Sequence, residues 1–440
     1  MDVRFVGVRV CAAFRVPRSS DTRERSVTTV GKYRKGLAAV AVLLGGTLTL
    51  SGCGLFGGDD DSGGKSEMSG NDDGKGGENA SEARIKISAK DGSDSASINT
   101  GGDVKVSKGA LVRVTMKAVQ SGNTVEGEMS GGKKSWKPKE QLERATKYEI
   151  TATAKDGEGR KAVENSTFTT VSPDDSFIGT YAGEDGATVG VGMPVSITFD
   201  KQITQKKAVQ SAIEVSSTSG QEVVGHWFGN DRLDFRPKDY WKPNSKVTLD
   251  MELDGVQGAK GITGVQDTTA TFTIGRSQVS TVDAKSHRMK VVRDGKTIKD
   301  IPISAGSSKN PTYNGEMVIS EKHKETRMDG QTVGFGRDGE EGYDIADVPH
   351  AMRLSTSGTF IHGNYWGAPF GSGNTSHGCV GLKDSRGANN SSTDGAWFYE
   401  NSMIGDVVVM KNSPDRTVQP DNGLNGWNMD WSEWKAGSAV

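Results

Sequence analysis

Cysteine is scarce in this chain: 440 residues carry three, Cys11, Cys53 and Cys379. They sit in unrelated surroundings, which excludes a disulfide framework as the organising principle. Aromatic residues make up only 7% and hydrophobic residues 33% of the chain. So lean a composition does not suit a helical bundle, and with 59 glycines it points to turn-rich β structure and flexible linkers. An excess of either charge is also missing, since 54 basic residues face 56 acidic ones. That balance leaves no electrostatic footprint for nucleic acid. One hydrophobic core rarely serves 440 residues, so two to four domains are expected.

What is present begins with an address. Lys32, Arg34 and Lys35 precede an apolar run that ends in small residues at Cys53, the layout of a secretory signal over residues 1–53. The run, about 15 residues, is shorter than the ~20 that span a bilayer, which sets it apart from a transmembrane helix. Leu50-Ser51-Gly52-Cys53 resembles the bacterial lipoprotein box. The resemblance implies that Cys53 becomes the acylated first residue of an extracytoplasmic protein anchored on the outer face of the cytoplasmic membrane. Residues 1–31 are unusually rich in arginine for the head of such a signal, the pattern of a start codon assigned upstream of the true one, and Cys11 is given no role. Residues 54–83 are almost free of apolar side chains and read as a tether. As a flexible coil it reaches roughly 30 Å. Cys379 is then the only thiol left in an oxidising compartment, a placement that asks for a chemical reason.

Period-two alternation follows, first in segments such as Tyr148-Glu149-Ile150-Thr151-Ala152 and again in segments such as Val247-Thr248-Leu249-Asp250-Met251. Trp136-Lys137-Pro138 stands ten residues before Tyr148 as Phe235-Arg236-Pro237 stands ten before Val247. The spacing predicts a tandem repeat of two immunoglobulin-like sandwiches, residues 84–172 and 173–275. His226 and Trp227 are expected to pack in a strand or at a domain contact rather than to bind a ligand. The chain as a whole is expected to be mainly β, with a third β-rich domain over 276–412 and a Trp-rich tail over 413–440.

The third domain carries the chemistry. His362 stands thirteen residues before the cluster Ser376-His377-Gly378-Cys379. A thiol with pKa about 8.5 is mostly protonated at neutral pH, so a nucleophilic cysteine wants an imidazole within reach to take its proton and a third group to hold that ring. Glycine at 378 lets backbone approach a substrate, so that amides near Gly378 and Cys379 are candidates to meet an oxyanion. Two other assignments stand beside catalysis on spacing alone: Cys379 as a buried small hydrophobe, or His362, His377 and Cys379 as an open zinc site.

Ile361-His362-Gly363, followed by Asn374-Thr375-Ser376-His377-Gly378-Cys379-Val380, closely resembles the L,D-transpeptidase (YkuD) signature, and the tandem β modules and the tail Gly423–Trp431 resemble its actinobacterial branch. The resemblance implies Cys379 as nucleophile, His362 as base, the Gly363 carbonyl as its orienter, amides near Gly378 and Cys379 as oxyanion hole, and His377 and Ser376 in support. Gly381 departs from it, standing where relatives commonly carry Asn or Arg. It further implies a peptidoglycan tetrapeptide stem as donor, a thioester on Cys379, release of D-Ala, a second stem as acceptor to give a 3→3 cross-link, and acylation by carbapenems. No metal or organic cofactor is implied. Hydrolysis of the same thioester, its transfer to a protein amine, and a non-catalytic wall-binding lipoprotein remain as alternatives.

Residues 325–348 are expected to form a mobile glycine-rich flap, with Tyr343 lining the cleft. Tyr365, Trp366 and Phe370 are candidates for a substrate wall and Asn374 for a substrate contact. Trp427, Trp431 and Trp434 recur at i, i+4 and i+7, which predicts one helical face packing the tail onto the catalytic domain.

Overall fold

The computed structural model describes residues 80–336 and 342–440. The signal segment, Cys11, Cys53, nearly all of the tether, and Gly339 of the flap lie outside the described residues.

The first module is two facing sheets. One joins strands Arg84–Ile87, Val104–Ser107, Ser135–Pro138 and Gly127–Met129, and the other joins Ala110–Ala118, Lys147–Lys155 and Lys161–Thr169. Alternation does what the pattern demands. Tyr148, Ile150, Ala152 and Ala154 point inward and the residues between them point out, against Leu111, Met116, Trp136 and Phe168. The second module repeats this plan with sheets built on Lys246–Glu252 and on Arg232–Pro237. The repeated landmarks close equivalent strands, Trp136 in Ser135–Pro138 and Phe235 in Arg232–Pro237, both rings buried.

The third domain is organised by a nine-stranded sheet. Within it, Phe360–Asn364 and Val380–Lys383 run parallel. Lys296–Ser304 flanks the second of them and Asp344–Arg353 the first, both antiparallel. Helix Asp394–Asn401 lies across these strands, with Phe398 wholly buried. The sheet is tied to the second module by backbone bonds, the Gly190 amide donating to the Ile404 carbonyl at 2.7 Å and the Gly192 amide to the Gly405 carbonyl at 2.9 Å.

Two expectations need correction. The flap is carried on a β-hairpin: Glu321–Asp329 pairs with Asp344–Arg353, so that residues 325–329 and 344–348 are strand, and Gly330–Val333 is a 3-10 turn. Its glycines fall between the two arms. The tryptophans do not share one continuous helix. Trp427 belongs to a 3-10 turn, Gly426–Asn428, and Trp431 and Trp434 to a separate helix, Trp431–Ala436, with Met429 and Asp430 extended between them. Nor do they face the catalytic domain: all three rings surround Arg236 of the second module, at 4.8, 5.4 and 4.3 Å. The catalytic domain receives asparagines of the same segment instead. Asn425 reaches Leu354 and Val318, and Asn428 reaches Glu316. His226 makes the domain contact, stacking on Trp434 at 4.8 Å.

Candidate active site

The parallel pairing places His362 opposite Gly381, two residues beyond Cys379. Cys379 enters at the head of its strand, and both side chains line one cavity of about 300 Å³. The His362 ring is buried. Its Nδ1 lies 2.8 Å from the Gly363 carbonyl oxygen. A carbonyl only accepts, so Nδ1 carries the proton and Nε2 is left with a free lone pair. Burial holds this imidazole below its ordinary pKa, against the opposing pull of the Gly363 bond and the Asp384 charge.

Burial also pushes the Cys379 thiol up to about 11, against the Phe360 amide and the Arg353 charge. Its sulfur is directed toward the Gly358 carbonyl at 3.7 Å. The resting site therefore holds a neutral thiol and a neutral imidazole rather than an ion pair. Because the thiolate is the nucleophile, alkylation of Cys379 by iodoacetamide, in protein lacking Cys11 and Cys53, should keep rising through pH 9 with a midpoint near the thiol value of about 11. A plateau already reached at neutral pH would show a preformed thiolate.

Ser376, His377, Tyr343 and Trp366 line the same cavity. Trp366 stacks on His362 at 5.7 Å. His377 stands edge-on to Phe335 at 5.4 Å and beside Tyr343 at 5.2 Å, so the flap tip closes over it. The Tyr343 hydroxyl is pushed up to about 12 by burial and by the nearby Cys379. Gly378 has φ +108, a left-handed conformation that disfavours any side chain. Its amide donates to Ser376 Oγ at 3.2 Å, and that hydroxyl donates to the Cys379 carbonyl at 2.5 Å. In this state the Gly378 amide is thus engaged, which leaves the Cys379 amide as the simpler oxyanion donor.

Three candidates lie elsewhere. Asn374 has no spare polar atom for a substrate: Oδ1 accepts from the Ala305 amide and faces His287 Nδ1, and Nδ2 donates to the Ala284 carbonyl. It pins the loop that carries the cysteine cluster. Tyr365 turns outward and donates to Asp347 at 2.6 Å, beneath Arg386. Phe370 borders a separate surface hollow with Pro302 and Lys383. Residues not anticipated from sequence are Ser304, Met328 and Asn364 on the cavity wall. Asn364 is instructive, because its amide nitrogen lies 3.7 Å from where a Gly381 Cβ would stand. A polar side chain from the neighbouring strand thus occupies the side of the pocket that Gly381 leaves bare. Among the described residues, no group of three or more His, Cys, Asp or Glu is gathered to hold a metal ion.

Residues 277–410 match the family model described as the L,D-transpeptidase catalytic domain, and residues 93–257, spanning parts of both modules, match a bacterial Ig domain. L,D-transpeptidase 2 of Mycobacterium tuberculosis is 33% identical over 81% of this chain and 85% of its own. L,D-transpeptidase 5 of the same species is 30% identical over 77% of this chain and 73% of its own. A solved structure of LD transpeptidase LdtMt1 in complex with imipenem covers 53% of this chain and 97% of that one at 26% identity, with a TM-score of 0.45. With a catalytic-domain match over the whole cysteine–histidine site and a relative aligned along most of both lengths, the chain belongs to the L,D-transpeptidase family.

Proposed function

We propose that this protein cross-links peptidoglycan stem peptides 3→3 through a thioester on Cys379. The observation that carries the proposal is the pairing of Cys379 with a buried His362 whose Nδ1 is fixed on the Gly363 carbonyl, leaving Nε2 as a base in the same cavity. In the first half-reaction Cys379 Sγ turns from Gly358 toward Nε2 and attacks the carbonyl of the third, diamino-acid residue of a tetrapeptide stem. The thiol proton passes to Nε2 and then to the departing D-Ala amine. The Cys379 amide meets the oxyanion, with His377 and Tyr343 holding the flap against the donor. In the second half-reaction the side-chain amine of another stem attacks the thioester, gives its proton through His362 to the leaving sulfur, and restores the thiol. No step needs a metal or redox partner. The β-lactam carbonyl of a carbapenem offers the same nucleophile the same target.

The work is assigned to the outer face of the cytoplasmic membrane, through lipid on Cys53 and the tether that follows. The lipoprotein-box residues Leu50-Ser51-Gly52-Cys53 support this. The decisive experiment is intact-protein mass spectrometry of wild type and Cys379→Ala, incubated with a disaccharide-tetrapeptide and separately with a carbapenem. Wild type alone should gain each adduct and produce a tripeptide–tetrapeptide dimer. Absence of both adduct and dimer from wild type would remove Cys379 as nucleophile.

A further inference from the structure

A second histidine–carboxylate pair lies behind the site, and neither member touches the cavity. Asp384 follows the Val380–Lys383 strand, and its side chain is fully buried. Its Oδ1 accepts from the Ser385 amide and from Thr393 Oγ1, both at 2.8 Å. Its Oδ2 faces His350 Nδ1 at 2.7 Å, and the His350 side chain is 4% exposed. The carboxylate sits in a slot made by two glycines. A Cβ on Gly363 would fall 2.1 Å from Oδ2, and one on Gly395 would fall 2.2 Å from it. Gly363 is therefore required here by close approach, so that the anion can press on the peptide whose carbonyl holds His362.

His350 is held there against local preference. It has φ +50, in the left-handed region, although it lies within the strand Asp344–Arg353. Such a conformation persists only where surrounding contacts impose it, and it concentrates at functional sites. Those contacts are the Asp384 bond and Tyr399, whose ring lies 5.1 Å away. Tyr399 is covered in turn by Lys322 Nζ at 4.3 Å. The titratable groups around His362 are thus Asp384, His350 and Cys379, with His377 and Tyr343 across the cavity and Tyr399 and Lys322 behind His350. Of these, Asp384 is the one whose charge acts on the His362 imidazole, raising its basicity against burial.

The geometry points to Asp384, held by His350, as the positioning residue of the site: packed against Gly363, it holds in place the peptide whose carbonyl fixes the tautomer and orientation of His362. This inference rests on the base role proposed for His362, and it gives that histidine a carboxylate that acts through a backbone peptide rather than by direct contact.

The test is Asp384→Asn, which keeps shape and leaves room for the Thr393 and Ser385 donors while removing the charge. Two measurements are made on the intact protein. One follows the His362 ring nitrogens by NMR in protein labelled at its six histidines, and the other follows carbapenem acylation rate against pH. Loss of an anion that favours imidazolium lowers the His362 pKa, so the midpoint and the acid limb of the rate profile should both move to lower pH. The rate above the limb should fall about 10–100-fold, the effect seen when a supporting partner is removed behind a metal-bound histidine. A purely structural role would lower the melting temperature and leave midpoint and limb in place, which would overturn the inference. His350→Asn keeps a donor at the Nδ1 position on Asp384 and should retain the wild-type limb; a shift as large as that of Asp384→Asn would overturn the role given to His350. If wild type is not acylated at all, the proposed function fails, while the NMR midpoint still decides the role of Asp384.

Discussion

Replacing His362 with asparagine should slow acylation of Cys379 by a carbapenem by about 10²–10⁴-fold at neutral pH, the contribution of a positioned general base. The magnitude follows from the state of the thiol. Burial leaves it protonated up to about pH 11, so at neutral pH nearly all attack must proceed by transfer of the thiol proton to Nε2. Asparagine places its amide where Nδ1 stands and can donate to the Gly363 carbonyl as His362 does, so the buried acceptor stays satisfied and the fold is retained. Its amide cannot take a proton. The variant should therefore lose the acid limb of the rate profile, which in wild type lies below the ordinary imidazole value because burial holds His362 down. Its rate should instead climb about tenfold per pH unit with the thiolate fraction, so the gap to wild type narrows toward pH 10. Time-resolved intact mass spectra at several pH values check this. A variant within threefold of wild type at pH 7 would take the base role from His362.

How far the site was legible in sequence depends on whether a residue acts through local spacing or through the tertiary fold. His362 and the Ser376–Cys379 cluster lie within eighteen positions of each other, and two adjacent parallel strands are the structure that such a loop can join. Their meeting was therefore readable. The outward turn of Tyr365 was not, because the choice between cavity and surface was made by Asp347 and Arg386 from other segments. Asn374 resembles a substrate contact in a linear signature, and only the three backbone and side-chain partners around it show that its polar atoms are engaged. The pair His350–Asp384 left no signal at all. Thirty-four positions separate its members, and no periodicity marks a buried carboxylate whose slot is two missing side chains.

The fold divides the same way. Alternation identified the strands because a half-buried strand imposes period two on its own sequence. In one such segment the members that point inward are Tyr148, Ile150 and Ala152. The tail departs from its pattern, because tryptophans at helical spacing are divided here between a 3-10 turn and a separate helix. Arg236, contributed by a strand nearly two hundred residues earlier, collects the three rings from two short helical pieces. Its guanidinium also donates to the Met429 carbonyl, in the extended link between those pieces.

That arrangement sets up the second large effect, in Trp434→Ala. Trp434 is fully buried, its Nε1 donates to the Val224 carbonyl at 2.9 Å, and its ring is stacked between His226 and the Arg236 guanidinium. Truncation should cost about 3–5 kcal/mol, as large-to-small changes of buried aromatics do. Two further losses push toward the upper end. The Val224 carbonyl loses its donor, and Arg236, whose Nε already has no hydrogen-bond partner and whose pKa is drawn down to about 10 by burial, loses the nearest of the rings that offset its desolvation. The loss should spread along the tail, because Asn425 donates to the Leu354 carbonyl and Asn422 to Ser357 Oγ. These bonds brace the loop whose Gly358 carbonyl faces the Cys379 sulfur. Hydrogen exchange should therefore accelerate at residues 223–228 and also at 354–359, together with a lower first melting transition. Trp434→Phe, which keeps the stack and loses only the indole donor, should recover most of the stability, falling short by about 1 kcal/mol. A melting curve unchanged in Trp434→Ala would mean that the tail is held by its asparagines and that the aromatic cage around Arg236 contributes nothing to the joint.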